Sequence, residues 1–180
     1  MAKFFDELND QLAEFVAAQK IFFVATAAPD GRINLSPKGY DSLHVLGPNR
    51  ILWLNLSGSG NETAAHLLAC NRMTLMFCDF QNKPLILRIY GQAKTIHPRD
   101  AEWDGLSGHF KDFPGARQVF DMQIDSVQTS CGFGVPLFDF VGERSKLLEH
   151  TAAKGDEVVR QGWLKKNALS IDGLDTGIGG

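Results

Sequence analysis

A chain of 180 residues with 44% apolar and 22% charged side chains has the balance of an ordinary globular protein. That length suits one domain over residues 1–180, able to bury enough surface to fold without staples. A net charge of −3, with the acidic residues scattered, gives nothing that points to a nucleic-acid partner, and none is expected. Cys70, Cys78 and Cys131 are an odd set at spacings that match no zinc pattern, so no metal is expected and a reducing cytoplasm is the expected location. No apolar run approaches the ~20 residues that span a bilayer, so no membrane is expected either.

Phe4, Phe5, Leu8, Leu12, Phe15 and Val16 recur at helical spacing and predict an amphipathic helix over about residues 3–18. Asp6, Glu7, Asp10 and Glu14 interrupt it too often for a signal peptide. Residues 21–27 are β-branched and aromatic and stop at Pro29-Asp30-Gly31, where Pro presets φ and Gly supplies φ > 0. A return strand over 32–35 is interrupted by Ser36-Pro37-Lys38-Gly39. A third strand near 43–46 turns at Gly47-Pro48-Asn49 into 50–56. A short helix follows over 62–69, then a strand over 73–78 that turns at residues 81–84. The next strand, about 85–96, carries Leu85, Leu87 and Ile89 on one face and Arg88, Tyr90, Gln92 and Lys94 on the other. Pro98 opens a short helical patch. Residues 117–129 alternate again, with Phe120, Met122 and Ile124 against Asp121, Gln123 and Asp125. The tail reads as helix from about 142 to 167 and then becomes glycine-rich.

Six or so strands joined mostly by tight turns exclude a parallel sheet, whose neighbours need long crossovers. Residues 50–56 and 73–78 are apolar on both faces, which suits a barrel covered outside by helices or by a second subunit. The expected fold is mainly β (α+β): a six-stranded antiparallel barrel, Greek-key-like, with flanking helices. Its core covers about residues 20–135, and a helical C-terminal extension covers about 140–180. An exposed apolar remainder would favour a dimer.

The most informative stretch is Leu54-Asn-Leu-Ser-Gly-Ser-Gly-Asn-Glu-Thr-Ala-Ala-His66. A strand feeds a glycine/serine loop that opens a helix, so loop N–H groups and the helix N-terminus converge on one spot suited to an anion. Gly58 and Gly60 allow close backbone approach, and Ser57, Ser59 and Thr63 add hydroxyl donors. The same residues also make an ordinary helix start, with Asn61 or Ser59 as N-cap and Glu62 in the first turn. A dinucleotide fingerprint is nearly matched, with Asp79 downstream, but the third glycine is absent and the flanking strands belong to hairpins rather than βα units. A nucleotidase phosphate loop fails because no Lys-Ser/Thr follows the glycines. Lys38, in a turn beside the 50–56 strand, is a mobile cation that either reaches a phosphate or is simply solvated. Arg88, mid-strand in an apolar run, faces either a carboxylate or an anionic ligand.

Residues 21–27 with the Asp30-Gly31-Arg32 turn, the Ser36-Pro37-Lys38-Gly39 loop, Ser57-Gly-Ser-Gly-Asn-Glu-Thr63 and Leu85-Ile-Leu-Arg-Ile-Tyr-Gly91 together resemble the pyridoxamine 5′-phosphate oxidase-related FMN-binding proteins. The resemblance covers about residues 20–135; Cys131-Gly-Phe-Gly-Val-Pro136 and Ser170-Ile-Asp-Gly-Leu174 resemble motifs of a bacterial subgroup. It implies a split β-barrel that forms a homodimer with FMN at the subunit interface. It further implies that Ser36, Pro37, Lys38 and Gly39 hold the cofactor from one side, while Ser57, Gly58, Ser59, Gly60, Glu62 and Thr63 hold its ribityl phosphate. Vitamin B6 oxidases carry Arg-Lys where this chain has Gly58-Ser59, so the phosphate would lean on backbone N–H groups and on Lys38 or Arg88. The C-terminal arginine-rich signature of those enzymes is missing too. The implied activity is a flavin-dependent oxidoreductase acting on a small molecule. The alternative is a module that binds or senses flavin, haem or deazaflavin without turnover.

Cys131 reads as a structural, partly buried thiol rather than a reactive one, Cys70 as a helix-end residue and Cys78 as strand core. His66 is expected to serve packing, and Trp163 to make surface or dimer contacts. No serine–histidine–aspartate set or carboxylate pair stands out.

Overall fold

A computed structural model describes residues 2–180. The elements in chain order are β1 (Lys3–Phe5), α1 (Asp10–Ala18), β2 (Phe22–Thr26), β3 (Asn34–Lys38), β4 (Leu43–Gly47), β5 (Arg50–Leu56), α2 (Glu62–Ala69), β6 (Arg72–Cys78), β7 (Leu85–Ile96), α3 (Trp103–Ser107), β8 (Ala116–Cys131), α4 (Lys146–Lys154) and α5 (Asp156–Lys166). The eight strands form one antiparallel sheet in the order β3-β2-β6-β7-β8-β5-β4, with β1 added to β8. β8 organises it. β7 pairs along almost its whole length, while its other edge is shared by β5 at residues 116–123 and β1 at 127–129.

The sheet curls on itself. β2 and β5 are separated by three strands in the sheet, yet the rings of Phe22 and Trp53 sit 6.3 Å apart. Phe22 also stacks on Phe77 at 5.8 Å and Trp53 on Phe120 at 4.6 Å, so one aromatic column fills the barrel. Trp53, Phe77 and Phe120 are fully buried, each worth about 1.5–3 kcal/mol relative to an exposed position. The terminal strands β3 and β4 do not pair with each other, which leaves the barrel split along that side.

Eight strands stand where six were expected. The added β1 lies in the segment read as helix, because the Asn9 side chain accepts from Leu12 N–H and caps a helix that begins only at Asp10. Ser36-Pro37 does not interrupt its strand: Pro37 pairs opposite Phe23 in β3, a terminal strand where a missing N–H is tolerated. β7 and β8 shift register at Gly91, where an added Cβ would lie 2.0 Å from the Gln123 carbonyl oxygen; only glycine fits this bulge. The tail is two helices rather than one, broken at Gly155 with φ of 75°. Among the described residues no helix is long and apolar enough to cross a membrane.

Cys78 is buried and Cys70 ends α2, as expected, but Cys131 is exposed at the end of β8 rather than partly buried. Strand pairing to Leu85 holds its backbone while its side chain faces out. Arg72 Nε donates to Cys70 Sγ at 3.0 Å and holds that thiol below its ordinary range, whereas burial pushes Cys78 up. Iodoacetamide near neutral pH is therefore expected to label Cys70 and Cys131 well before Cys78, read by peptide mass. Equal rates at all three thiols would contradict this.

Candidate functional site

Ser36, Pro37, Lys38, Gly39, Ser57, Gly58, Ser59, Gly60, Glu62 and Thr63 all line one cleft of about 350 Å³. It lies along the split, between β3 on one side and β5 with the loop into α2 on the other. Sequence separation is bridged by the curl of the sheet, which carries Lys38 over the Trp53 ring, 5.1 Å from Nζ to the centroid. The turn after Lys38 is tense. Tyr40 and Asp41 have φ of 65° and 56°, a left-handed pair costing roughly 1–2 kcal/mol per residue. Ser42 Oγ donates to Gly39 O at 2.7 Å, and Tyr40 donates to the Arg144 carbonyl; both contacts hold that turn in place.

Arg88 is not in this cleft. Its position in β7 places it beside Ser130, to whose Oγ it donates at 3.2 Å, and it meets neither a carboxylate nor the glycine loop. The cation that takes the place expected of it is Arg117, at the start of β8. Pairing of β5 with β8 sets Asn55 opposite Gln118, so Arg117 enters the cleft beneath the loop. It is 2% exposed, and its Nη2 donates to Gly60 O at 3.0 Å. Among the described residues Nε and Nη1 have no protein partner, and no carboxylate pairs with this guanidinium. Burial pushes Arg117 down to about 10, still far above neutrality, so it remains charged. Burial and then repulsion from Arg117 push Lys38 down to about 8.

Two uncompensated cations therefore share one cleft, with a third orphan beside them. Asn61 is 3% exposed, and neither its Nδ2 nor its Oδ1 finds a protein partner. Buried polar groups are left unpaired only at a cost of about 1–3 kcal/mol each. Buried donors without protein partners on Arg117 and Asn61 thus lie in one cleft with the Lys38 ammonium, an arrangement chemically suited to an anionic oxygen.

The loop itself divides its work. Ser57 N–H and Oγ both donate to Gly115 O, at 2.9 and 3.2 Å, and Oγ accepts from Trp163 Nε1 at 2.9 Å. Ser57 is thus occupied in holding the loop. Glu62 accepts from Ile171 N–H with both oxygens at 3.1–3.2 Å, so it anchors the C-terminal turn rather than a phosphate. The amides of residues 58–63, by contrast, donate to no protein acceptor among the described residues. Neither Gly58 nor Gly60 has positive φ, and a Cβ at Gly58 would meet nothing nearer than 3.9 Å; the glycines keep the cleft open rather than relieve strain. Asn34 Nδ2 donates to Thr63 Oγ1 at 3.2 Å and to Thr26 Oγ1 at 3.4 Å. Thr63 then has its own O–H left to donate into the cleft, and Thr26 Oγ1 shares a further hydrogen bond with buried His66 Nδ1, 3.1 Å away.

Trp163 is buried against this loop, not at the surface, and Asn167 Nδ2 donates to Ser59 O at 3.0 Å. The C-terminal extension therefore splints the loop from outside. Gly115 is where they meet: its φ is +77°, and an added Cβ would sit 2.4 Å from Thr151 Cγ2 and 2.7 Å from Ser57 Oγ. Gly115→Ala is expected to cost about 1–3 kcal/mol in a denaturant melt by prying α4 off the loop. An unchanged midpoint would show that the extension is not coupled to it.

A second cavity, about 840 Å³, shares Pro37, Lys38, Gly39 and Tyr40 with the cleft and is walled by Phe23, Phe80, Phe138 and Phe140. A polar, cationic compartment thus meets an aromatic one across Lys38. No group of three histidine, cysteine or acidic residues among the described residues is placed to hold a metal.

The sequence model of the pyridoxamine 5′-phosphate oxidase family matches residues 8–131, the whole stretch from the lead into α1 to the end of β8. The chain belongs to this family. Its relatives include the pyridoxamine 5′-phosphate oxidase family protein ustO of Aspergillus flavus, 35% identical over 194 residues, spanning 97% of this chain and 77% of that protein. That match extends through the C-terminal extension, which the family model leaves out. Among solved structures, a candidate pyridoxamine 5′-phosphate oxidase from Lactobacillus delbrueckii superposes with a TM-score of 0.54 at 21% identity, covering 68% of this chain and 94% of the other. A protein from Clostridium acetobutylicum related to general stress protein 26, of the pyridoxinephosphate oxidase family, gives 0.50 at 17% identity, covering 69% and 91%. These likenesses show the family's mainly antiparallel split-barrel fold with flanking helices.

Proposed function

We propose that the cleft binds FMN and that the protein is a flavin-dependent oxidoreductase acting on a small molecule. The observation that carries this reading is the buried Arg117 with two unpartnered nitrogens, beside Lys38, under a loop of free amides. Arg117, Lys38, Asn61, Thr63 and the amides of residues 58–63 would hold the phosphate. Guanidinium and ammonium supply charge, and the loop amides and helix N-terminus supply aligned donors. The aromatic compartment beyond Lys38 would take a flat apolar ring system. Bound FMN would supply the electron transfer; the chain's residues bind, orient and exclude water. Lys38 stands where the two compartments meet and keeps a donor there. No side chain in the cleft is needed as a catalytic base.

A homodimer belongs to the same proposal. Phe133, Leu137, Phe138 and Val141 are 61–99% exposed on one short segment after β8, apolar side chains that a subunit contact would cover. That segment also borders the aromatic compartment through Phe138 and Phe140. Purified protein should be yellow or take up FMN on titration with a shifted flavin spectrum, and should then oxidise NAD(P)H or another reduced donor. A colourless protein that takes up no FMN would end the proposal. Binding without any turnover would retain the site and reduce the function to flavin carriage or sensing.

A further inference from the structure

A separate cavity of about 300 Å³ lies on the other side of Arg117, between the end of β7, the start of β8, α5 and the C-terminal turn. His97, Arg99, Arg117 and Arg160 line it, with Trp163 and Leu164 as apolar wall. Four nitrogenous side chains converge there, and no carboxylate lines the cavity. Asp100, the nearest candidate, accepts from His97 N–H at 2.7 Å and lies 4.0 Å from Arg99 Nε; it is engaged at the turn, outside the lining. Arg117 lines both cavities, so its charge also acts on this one. Arg160, exposed on α5, lines this cavity but no part of the cleft, and it forms no ion pair among the described residues.

We infer that this cavity is a second anion site, built for a small organic phosphate or carboxylate whose apolar part lies against Trp163 and Leu164. Arg160 and Arg117 supply the charge. Arg99, already donating to Gly177 O and Ile178 O, fixes the C-terminal wall. Electrostatics along that wall fit the assignment: His97 is held below its ordinary value by burial, then by Arg99 and by Arg117 against the pull of Asp100. Added negative charge in the cavity would therefore ease repulsion among the cations that line it, of which Arg160 has no ion-pair partner among the described residues. Its volume suits a ligand of one ring and one anionic group, not a dinucleotide.

Calorimetric titration of the FMN-saturated protein with phenyl phosphate, benzoate and inorganic phosphate tests this. Phenyl phosphate or benzoate is expected to bind saturably, and inorganic phosphate more weakly because it leaves the apolar wall uncovered. Arg160→Gln should weaken that binding by about tenfold, the loss of a charge-assisted hydrogen bond. Leu164→Trp, which fills the cavity from an exposed helix face, should abolish it, and both variants should keep the wild-type melting midpoint and flavin spectrum. No saturable binding of either organic anion, or wild-type affinity in either variant, would overturn the assignment. If the cofactor proposal fails, the flavin spectrum is absent, whereas the effects of Arg160→Gln and Leu164→Trp on phenyl phosphate binding remain as expected.

Discussion

Replacing Arg117 by methionine is expected to lower FMN affinity by about 100-fold or more, since truncating a buried, hydrogen-bonded charge partner typically costs 2–5 kcal/mol. The same substitution should raise the melting temperature of the ligand-free protein. Arg117 is buried at 2% exposure with one hydrogen bond and two unpaired donors. A buried charge without a partner is destabilising, and an apolar side chain of similar length removes that cost while keeping most of the packing. Opposite changes in affinity and stability are the signature of a residue retained for its ligand. Lower stability with unchanged FMN affinity would make Arg117 a structural post for Gly60 and refute its place in the receptor.

FMN affinity should also fall steeply above about pH 8. Lys38 is pushed down to about 8 by burial and by Arg117, so in the free protein it loses its proton near that pH. The phosphate, with its second pKa near 6, stays a dianion throughout. Only the protonated lysine attracts it, so affinity should drop by up to about tenfold per pH unit above 8. Lys38→Met should give a weaker affinity that is flat from pH 7 to 9.5. The folding linkage has the reverse sense. Folding holds Lys38 with a lowered affinity for its proton, so this residue's destabilising contribution is present below pH 8 and vanishes as pH rises towards 10.5. The stability difference between the wild type and Lys38→Met should shrink over that window. Fluorescence titration of FMN at half-unit steps measures the first effect; a flat wild-type profile would contradict it.

The barrel was legible because its strands announce themselves locally. Period-two alternation at Leu85, Leu87 and Ile89, and again at Phe120, Met122 and Ile124, reports burial on one face wherever the strand ends up. Lys38 and the Ser57–Thr63 loop were legible for a similar reason, each being a compact run of chemically unusual residues. Arg117 was not, since nothing beside it in the chain marks an arginine for burial. Its role arises from the pairing of β5 with β8, a contact between segments some sixty residues apart. The one signal available is an arginine at the head of a long strand with no acidic residue directly beside it, weaker than the pattern at Arg88, which sits mid-strand in an apolar run. Trp163 shows the same limit: its helix is amphipathic whether it meets solvent, a partner or, as it does, Ser57. At the N-terminus, Phe4, Phe5 and Leu8 satisfy helical and extended patterns alike, and only the Asn9 cap decides between them.

FMN and riboflavin share one ring system and differ by the phosphate, so their relative affinities isolate the phosphate-binding role proposed for Lys38, Arg117 and the glycine loop. Titrated side by side into ligand-free protein, FMN is expected to bind at least about 100-fold more tightly, the scale of several charge-assisted hydrogen bonds to one dianion. Equal affinities would mean that the cleft holds no phosphate and that its two cations serve some other group.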